Sequence, residues 1–291
     1  MKLVLSCCTL FLAILGSVSA QAVEPLALYD DFNGDSIDAS KWSGQQSGLL
    51  LDVAREIRGE GRLHLADVAR EIPGERRLHL AAKALGIASF PGQTSGARVR
   101  LAFANSGAVE AIRAVVEVRK VEATGCPTDL DPNSNPTRAR LRLSGFFFDD
   151  GTNTNRDLLA MVVIERRSDS TDPQGVLRVL GRLFHCADAN CLAGEDLVIP
   201  VNLGSITLGE RVRLRIQWDK DVDQFIFQRD GQPEITASYL GLVLDANPPT
   251  NIGKRIEIAH EVANCSGPGS TAFMEALVNN VFVNASAAPG P

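Results

Sequence analysis

Residues 211–218 read RVRLRIQW, with Val212, Leu214 and Ile216 alternating against Arg211, Arg213 and Arg215. Period two is the pattern of a β-strand that sends one face into a core and the other into solvent or a cleft. The same alternation recurs outward along the chain in Arg138–Leu143 (RARLRL), Gln224–Gln228 (QFIFQ) and Ala276–Val283 (ALVNNVFV). Ala108–Ala123 (AVEAIRAVVEVRKVEA) carries enough Ala and Glu for a helix, but its β-branched AVVEVRKV portion alternates and predicts a strand. Polar turns separate these runs: TGCPTDLDPNSNPT at 124–137, DDGTNTN at 149–155 and SDSTDPQG at 168–175. None has the composition of a domain linker. The pattern predicts one all-β domain over residues 23–284, an antiparallel two-sheet sandwich.

The 291 residues hold 29 Lys and Arg against 35 Asp and Glu, for a formal charge of −6. Such a chain has no global attraction to nucleic acid or an anionic membrane, so a polyanion would need a local basic patch. Residues 1–22 join one Lys, an apolar run from Leu3 to Leu15 and a small-residue cleavage site, which together predict a signal peptide and a secreted protein. No later segment is apolar enough to span a bilayer. The tail from residue 285 to 291 reads as disordered.

Without the leader, Cys126, Cys186, Cys191 and Cys265 remain, and four cysteines in an exported chain predict two disulfides. Cys186 and Cys191 are near neighbours across the turn-rich HCADANCL and are expected to pair, leaving Cys126 with Cys265. A zinc site drawing on His185 or His260 would lack a C-x-x-C pair. Sequons occur at Asn264 and Asn284.

Asp52–Ala66 (DVAREIRGEGRLHLA) and Asp67–Ala81 (DVAREIPGERRLHLA) are tandem near-copies, differing at Arg58/Pro73 and Gly61/Arg76. Each divides into VAREI, a Gly-containing turn and RLHLA, the pattern of a hairpin. A sandwich needs only one. The second copy runs directly into the downstream chain and is expected in the main sheet, leaving the first as an extra hairpin. His64 and His79 read as solvent-facing strand residues rather than a metal pair.

Tyr29–Trp42 (YDDFNGDSIDASKW) resembles the opening strand of concanavalin A-like jelly rolls, a group that includes laminarinase-type family 16 glycoside hydrolases. RGEGRLHLA and PGERRLHLA resemble the second strand, RLRIQWDKDVDQFIFQRDG a late W-D hairpin, and ALVNNVFVN the closing strand, all in family order. The resemblance implies a jelly roll whose catalytic strand would carry E-x-D-x-E or E-x-D-x-x-E, with acids on one face flanking a glycosidic bond. The corresponding stretch, RDLLAMVVIER at 156–166, offers only Asp157 and Glu165, eight residues apart. Glu257 and Glu261 have i, i+4 spacing but fall after the W-D hairpin. No lyase motif surrounds Tyr29 or Tyr239, and neither G-x-S-x-G nor a phosphate-binding loop occurs. No catalytic residue is assigned.

Aromatics are 5% of the chain, and Trp42 and Trp218 fit core positions, which weakens a lectin for neutral sugars. Arginines are more suggestive. Arg98 and Arg100, Arg138, Arg140 and Arg142, and Arg211, Arg213 and Arg215 recur at every second residue, and neighbouring strands would merge them into one basic face. Guanidinium binds carboxylate and sulfate in bidentate fashion, so Arg140, Arg142, Arg213 and Arg215 become candidate ligands for an acidic polysaccharide. The resemblance also implies a structural calcium ion near the chain ends, at Asp31 and the closing-strand Asn279; no other cofactor is expected. The reading is an exported non-catalytic sandwich that binds carbohydrate or another surface polymer, with no nucleic acid and no membrane span. A divergent polysaccharide hydrolase or lyase and a protein-contacting adhesion domain are the alternatives.

Overall fold

A computed structural model describes residues 24–34, 36–44, 55–56, 63–64, 68–71, 77–86, 94–127, 135–149, 157–187, 194–243, 253–266 and 269–290. The segment read as a signal peptide lies outside them. Described strands begin with β1 (Leu26–Asp30) and β2 (Trp42–Gly44), and the duplicated region supplies β3 (Arg55–Glu56), β4 (Leu63–His64), β5 (Val68–Glu71) and β6 (Leu78–Leu85). β7 (Thr94–Ser95) and β8 (Arg98–Phe103) precede the long strands β9 (Ala111–Thr124), β10 (Arg138–Asp149), β11 (Asp157–Arg167) and β12 (Val176–Cys186). Then come β13 (Gly194–Asp196), β14 (Val201–Thr207), β15 (Arg211–Asp219), β16 (Gln224–Arg229) and β17 (Ile235–Ser238). β18 (Arg255–Ala259), β19 (Val262–Ala263) and β20 (Thr271–Asn284) complete the set. Only short 3-10 turns accompany them among the described residues, and no helix is long and apolar enough to cross a membrane.

The strands form two eight-stranded antiparallel sheets. Sheet A runs β17-β16-β15-β9-β20-β6-β5, with β1 also on β20, and sheet B runs β13-β12-β11-β10-β18-β8-β2, with β14 on β12. This is the sandwich expected of the jelly roll. Alternation builds the core between the sheets. Val212, Leu214 and Ile216 of β15 face inward with Ile112, Ala114 and Val116 of β9, against Leu141 and Leu143 of β10 and Val162 and Ile164 of β11. Close packing leaves one inward position of β12 without a side chain, because a Cβ on Gly181 would lie 2.5 Å from the Phe227 ring of the opposite sheet.

The opening motif is explained by one carboxylate. Asp30 accepts the Trp42 indole N–H at 2.6 Å and the Phe32 amide at 3.1 Å, while Lys41 approaches it at 3.5 Å. The indole therefore buries fully between Tyr29, Phe32 and Phe103 without leaving its donor unsatisfied.

The second duplicate enters the main sheet, where β6 pairs with β20 and β5 pairs with β6. The first forms a separate two-stranded β3-β4 hairpin. Both copies use the same register: Arg55 opposes His64 as Arg70 opposes His79, and Glu56 opposes Leu63 as Glu71 opposes Leu78. What separates them is the residue that follows. After RLHLA the second copy continues into Ala82, which is 2% exposed, whereas the first continues into Asp67. Seating the first copy in the β6 position would drive that carboxylate into the core, at a cost of several kcal/mol.

Cys126 and Cys265 are joined, closing a sequence separation of 139 residues. Cys186 is itself disulfide-bonded, and its expected partner Cys191 lies outside the described residues. The chain does not lose order at residue 285, as the tail composition suggested. Ala285–Ala287 form a 3-10 turn with Ala287 buried, anchored because the Asn284 carboxamide accepts from the Glu110 and Ala111 amides and donates to Ala108 O. Asn264 is likewise buried and accepts from Ser95 Oγ.

Lys254 is the anomaly of the interior, 2% exposed, with Nζ donating to Ser106 O at 3.0 Å and lying 4.9 Å from the Phe147 ring centroid. Burial pulls its ammonium from 10.5 down to about 8, with Glu110 pulling weakly back.

Two outcomes are expected. Deleting residues 52–66 leaves a cooperatively folded protein whose melting midpoint falls by no more than about 2 °C, whereas Leu80→Ala costs about 2–5 kcal/mol in urea titrations. Because the unfolded chain holds the Lys254 proton to higher pH than the folded one, stability should rise between pH 8 and 10.5. Lys254→Met should flatten that rise and add about 1–3 kcal/mol at pH 7; an unchanged pH profile would contradict the assignment.

Candidate functional site

Each sheet has a second face, turned away from the shared core, and on sheet B it is dominated by guanidinium. Period two puts Arg138, Arg140, Arg142 and Ser144 of β10 on that face, because Ala139, Leu141 and Leu143 point inward. Pairing then sets Arg142 beside Glu257 of β18 and Glu257 beside Arg100 of β8, with Arg255 and Arg98 one step away on either side. Glu257 is fully buried. Its Oε1 lies 2.9 Å from Arg142 Nη2 and 2.9 Å from Arg255 Nε, and accepts from Ser144 Oγ at 3.1 Å. Its Oε2 and the Arg142 Nε are buried without a hydrogen-bond partner among the described residues.

Burial alone would raise the Glu257 pKa, but the Arg142 and Arg255 guanidiniums overcome it and hold the carboxyl at about 2. Burial pulls Arg142 below its usual range against the attraction of Glu257, yet it stays charged at neutral pH. Arg140 is committed too, donating from Nη2 to Glu261 at 3.1 Å and from Nε to Ala259 O at 3.3 Å. Arg98 and Arg100 differ: both are exposed and neither has an ion-pair partner among the described residues. Four guanidiniums thus surround a single carboxylate.

The strand at the place of the family's catalytic acids is β11. Its outward residues between Asp157 and Glu165 are Leu159, Met161 and Val163, which form an apolar cluster with Cys186 and Phe184. The aliphatic slot read from the sequence is therefore physical. Glu165 and Glu257 share this face but stand on strands flanking β10, two residues out of register, about 12 Å apart at the backbone. At neutral pH Glu257 has no proton to donate, and two ion pairs occupy it. Beyond Glu165 the β11-β12 turn makes a polar pocket with Arg167, Asp169, Ser170, Thr171 and Arg178.

Sequence reasoning merged all the arginine rows into one face, and the topology corrects this. Arg98 and Arg100 do join Arg138, Arg140 and Arg142, but Arg211, Arg213 and Arg215 lie on β15 in the other sheet, facing the opposite side. Alternation fixes which side of its own sheet a residue takes, not which sheet its strand joins. Arg255 and Ser144 were missed, since neither stands in an arginine row. Their signal was the outward alternation of RIEIA around Glu257.

The calcium expected from the resemblance finds a poor donor set. Asp31 Oδ2 already accepts from Asn33 Nδ2 at 3.0 Å, and Asn279 stands on β20 opposite Val115, in the row of Arg213. Calcium takes six to eight oxygens, and a neighbouring guanidinium repels it. No group of three or more His, Cys, Asp or Glu suited to a metal exists among the described residues. His79 instead lies 3.3 Å from Glu275, and burial holds the imidazole of His260 down to about 4, with Nε2 against Ala82 O.

No family model matches the chain, and no curated protein matches it. Among solved structures it is similar to a beta-1,3-glucanase from Mycobacterium marinum, at 15% identity and TM-score 0.37, over 87% of this chain and 98% of that one. The catalytic domain of a laminarinase from Thermotoga petrophila aligns at 12% identity and TM-score 0.37, over 90% and 100%. A family 18 polysaccharide lyase aligns at 13% and 0.29, over 70% and 77%. At such values the likeness carries nothing about chemistry, and the sandwich rests on its strand pairing.

Removing the central carboxylate alone should be severe. Glu257→Gln leaves two buried guanidiniums uncompensated and is expected to cost about 3–5 kcal/mol, while the triple exchange Arg142→Met, Glu257→Leu, Arg255→Met is neutral or stabilising. Since the folded pKa lies below the ordinary 4.5, the Glu257 contribution is complete above that pH and lost as pH falls toward 2. Acid titration of wild type against the triple variant checks it.

Proposed function

We propose that this chain is an exported, non-catalytic β-sandwich that binds carbohydrate, specifically an acidic polysaccharide, through the outward face of sheet B. The carrying observation is the charge surplus there: Arg98, Arg100, Arg142 and Arg255 around Glu257 alone, in a chain whose formal charge is −6. Local excess of this kind concentrates an oxyanion that the whole molecule would repel. Arg142 and Arg255 are locked beneath and fix the field, while exposed Arg98 and Arg100 present forks to a carboxylate or sulfate. The aliphatic run on β11 supports a binding rather than a hydrolytic role. Export is supported by the leader-like sequence and by the Cys126–Cys265 bond.

Calorimetry with polygalacturonate, sulfated dextran and neutral dextran tests the reading. Binding of an acidic polymer, weakened by salt and by about tenfold or more in the Arg98→Gln, Arg100→Gln double variant, is expected. Equal affinity in that variant, or equal binding of neutral dextran or of a DNA oligonucleotide of matched charge, overturns it. Release of reducing ends by wild type that Glu165→Gln abolishes would make the chain an enzyme.

A further inference from the structure

We propose a second oxyanion site on the opposite side of the sandwich, formed by Arg113, Arg213 and Arg215 on the outward face of sheet A, which makes the chain bivalent for sulfated polysaccharide. The assignment of ligand class rests on the function proposed above; the site itself rests on geometry. Arg215 of β15 stands directly opposite Arg113 of β9, and Arg213 lies one outward position along. Like charges directly opposed across a sheet are destabilising, so this arrangement is not explained by the fold.

Neighbouring carboxylates do not relieve it. Arg215 donates to Glu234 and to the Gln217 side chain. Neither Arg113 nor Arg213 has an ion-pair partner among the described residues, and Asp230 is taken up with the Arg213 backbone amide at 2.6 Å. Burial holds the Arg113 guanidinium below its usual range, and Arg213 and Arg215 push it in the same direction.

The side chain is nonetheless held in place. Phe282 of β20 pairs across from Arg113, and the guanidinium carbon sits 4.1 Å from its ring centroid. A guanidinium lying on an aromatic face keeps its N–H edge free for a planar oxyanion. Gln228 beyond Arg215, and Asn279 in the row of Arg213, add amide donors at the margins. The glutamates Glu117 and Glu275 on the same face are engaged elsewhere, with Arg77 and Arg119 and with His79 and Lys120.

Because the two sheets face opposite ways, one polymer strand cannot lie on both sites as a straight chain, and two sites on one sandwich bridge separate strands. The test counts sites with a short sulfated dextran oligosaccharide in calorimetry and follows bridging by turbidity with long sulfated dextran. Expected are two sites in wild type and one each in the Arg113→Gln, Arg213→Gln and the Arg98→Gln, Arg100→Gln double variants. Turbidity should be lost in both, with melting midpoints unchanged. Wild-type stoichiometry and turbidity in the Arg113, Arg213 variant overturn the inference. A single wild-type site removed only by the Arg98, Arg100 variant overturns it and leaves the sheet B reading standing. A single site removed only by the Arg113, Arg213 variant supports the sheet A site and overturns the sheet B one. Absence of binding overturns both.

Discussion

Two sheets can share one core only if nearly every strand keeps its alternation in phase with its neighbours. A slip of one residue on β9 would send Arg113 and Glu117 inward and Ile112, Ala114 and Val116 into water. That constraint organises everything else in the molecule. It decides that Arg142 and Glu257 meet on an outward face, that Arg113 meets Arg215, and that β6 is built from one repeat and not from its twin. The penalty for error is large because each inward aliphatic contributes on the order of 1.5–3 kcal/mol.

The repeat shows how small the deciding term can be. Two hairpins with identical pairing compete for one place beside β20, and the contest is settled by a side chain outside the hairpin proper, Asp67 against Ala82. The surviving pairing needs no special turn or cap.

Much of this was legible from residues alone. The strands at 138–143, 211–218, 224–228 and 276–283 follow from alternation, and the partly helical composition of 108–123 was correctly overruled by its β-branched run, now β9. Trp42 was placed inside because its motif implied a strand, and Asp30 supplies the hydrogen bond that makes burial tolerable. Partnership across sheets was not legible. Nothing in RARLRL or RVRLRIQW says that one joins β18 and the other β9, so arginines on opposite sides of the molecule looked like one surface. Burial of charge was hidden for the same reason: Arg140 and Arg142 read as free cations until Glu261 and Glu257 appear beside them.

Asn264 and Asn284 both turn their carboxamides inward, where each serves as a joint between segments. Both also sit in acceptor sequences for oligosaccharyl transfer. A cell that decorates such sequences as the nascent chain emerges would attach a bulky hydrophilic branch to side chains whose finished positions have no room for one. The compartment in which this protein is made therefore matters twice, once for oxidising its cysteines and once for leaving these two asparagines bare.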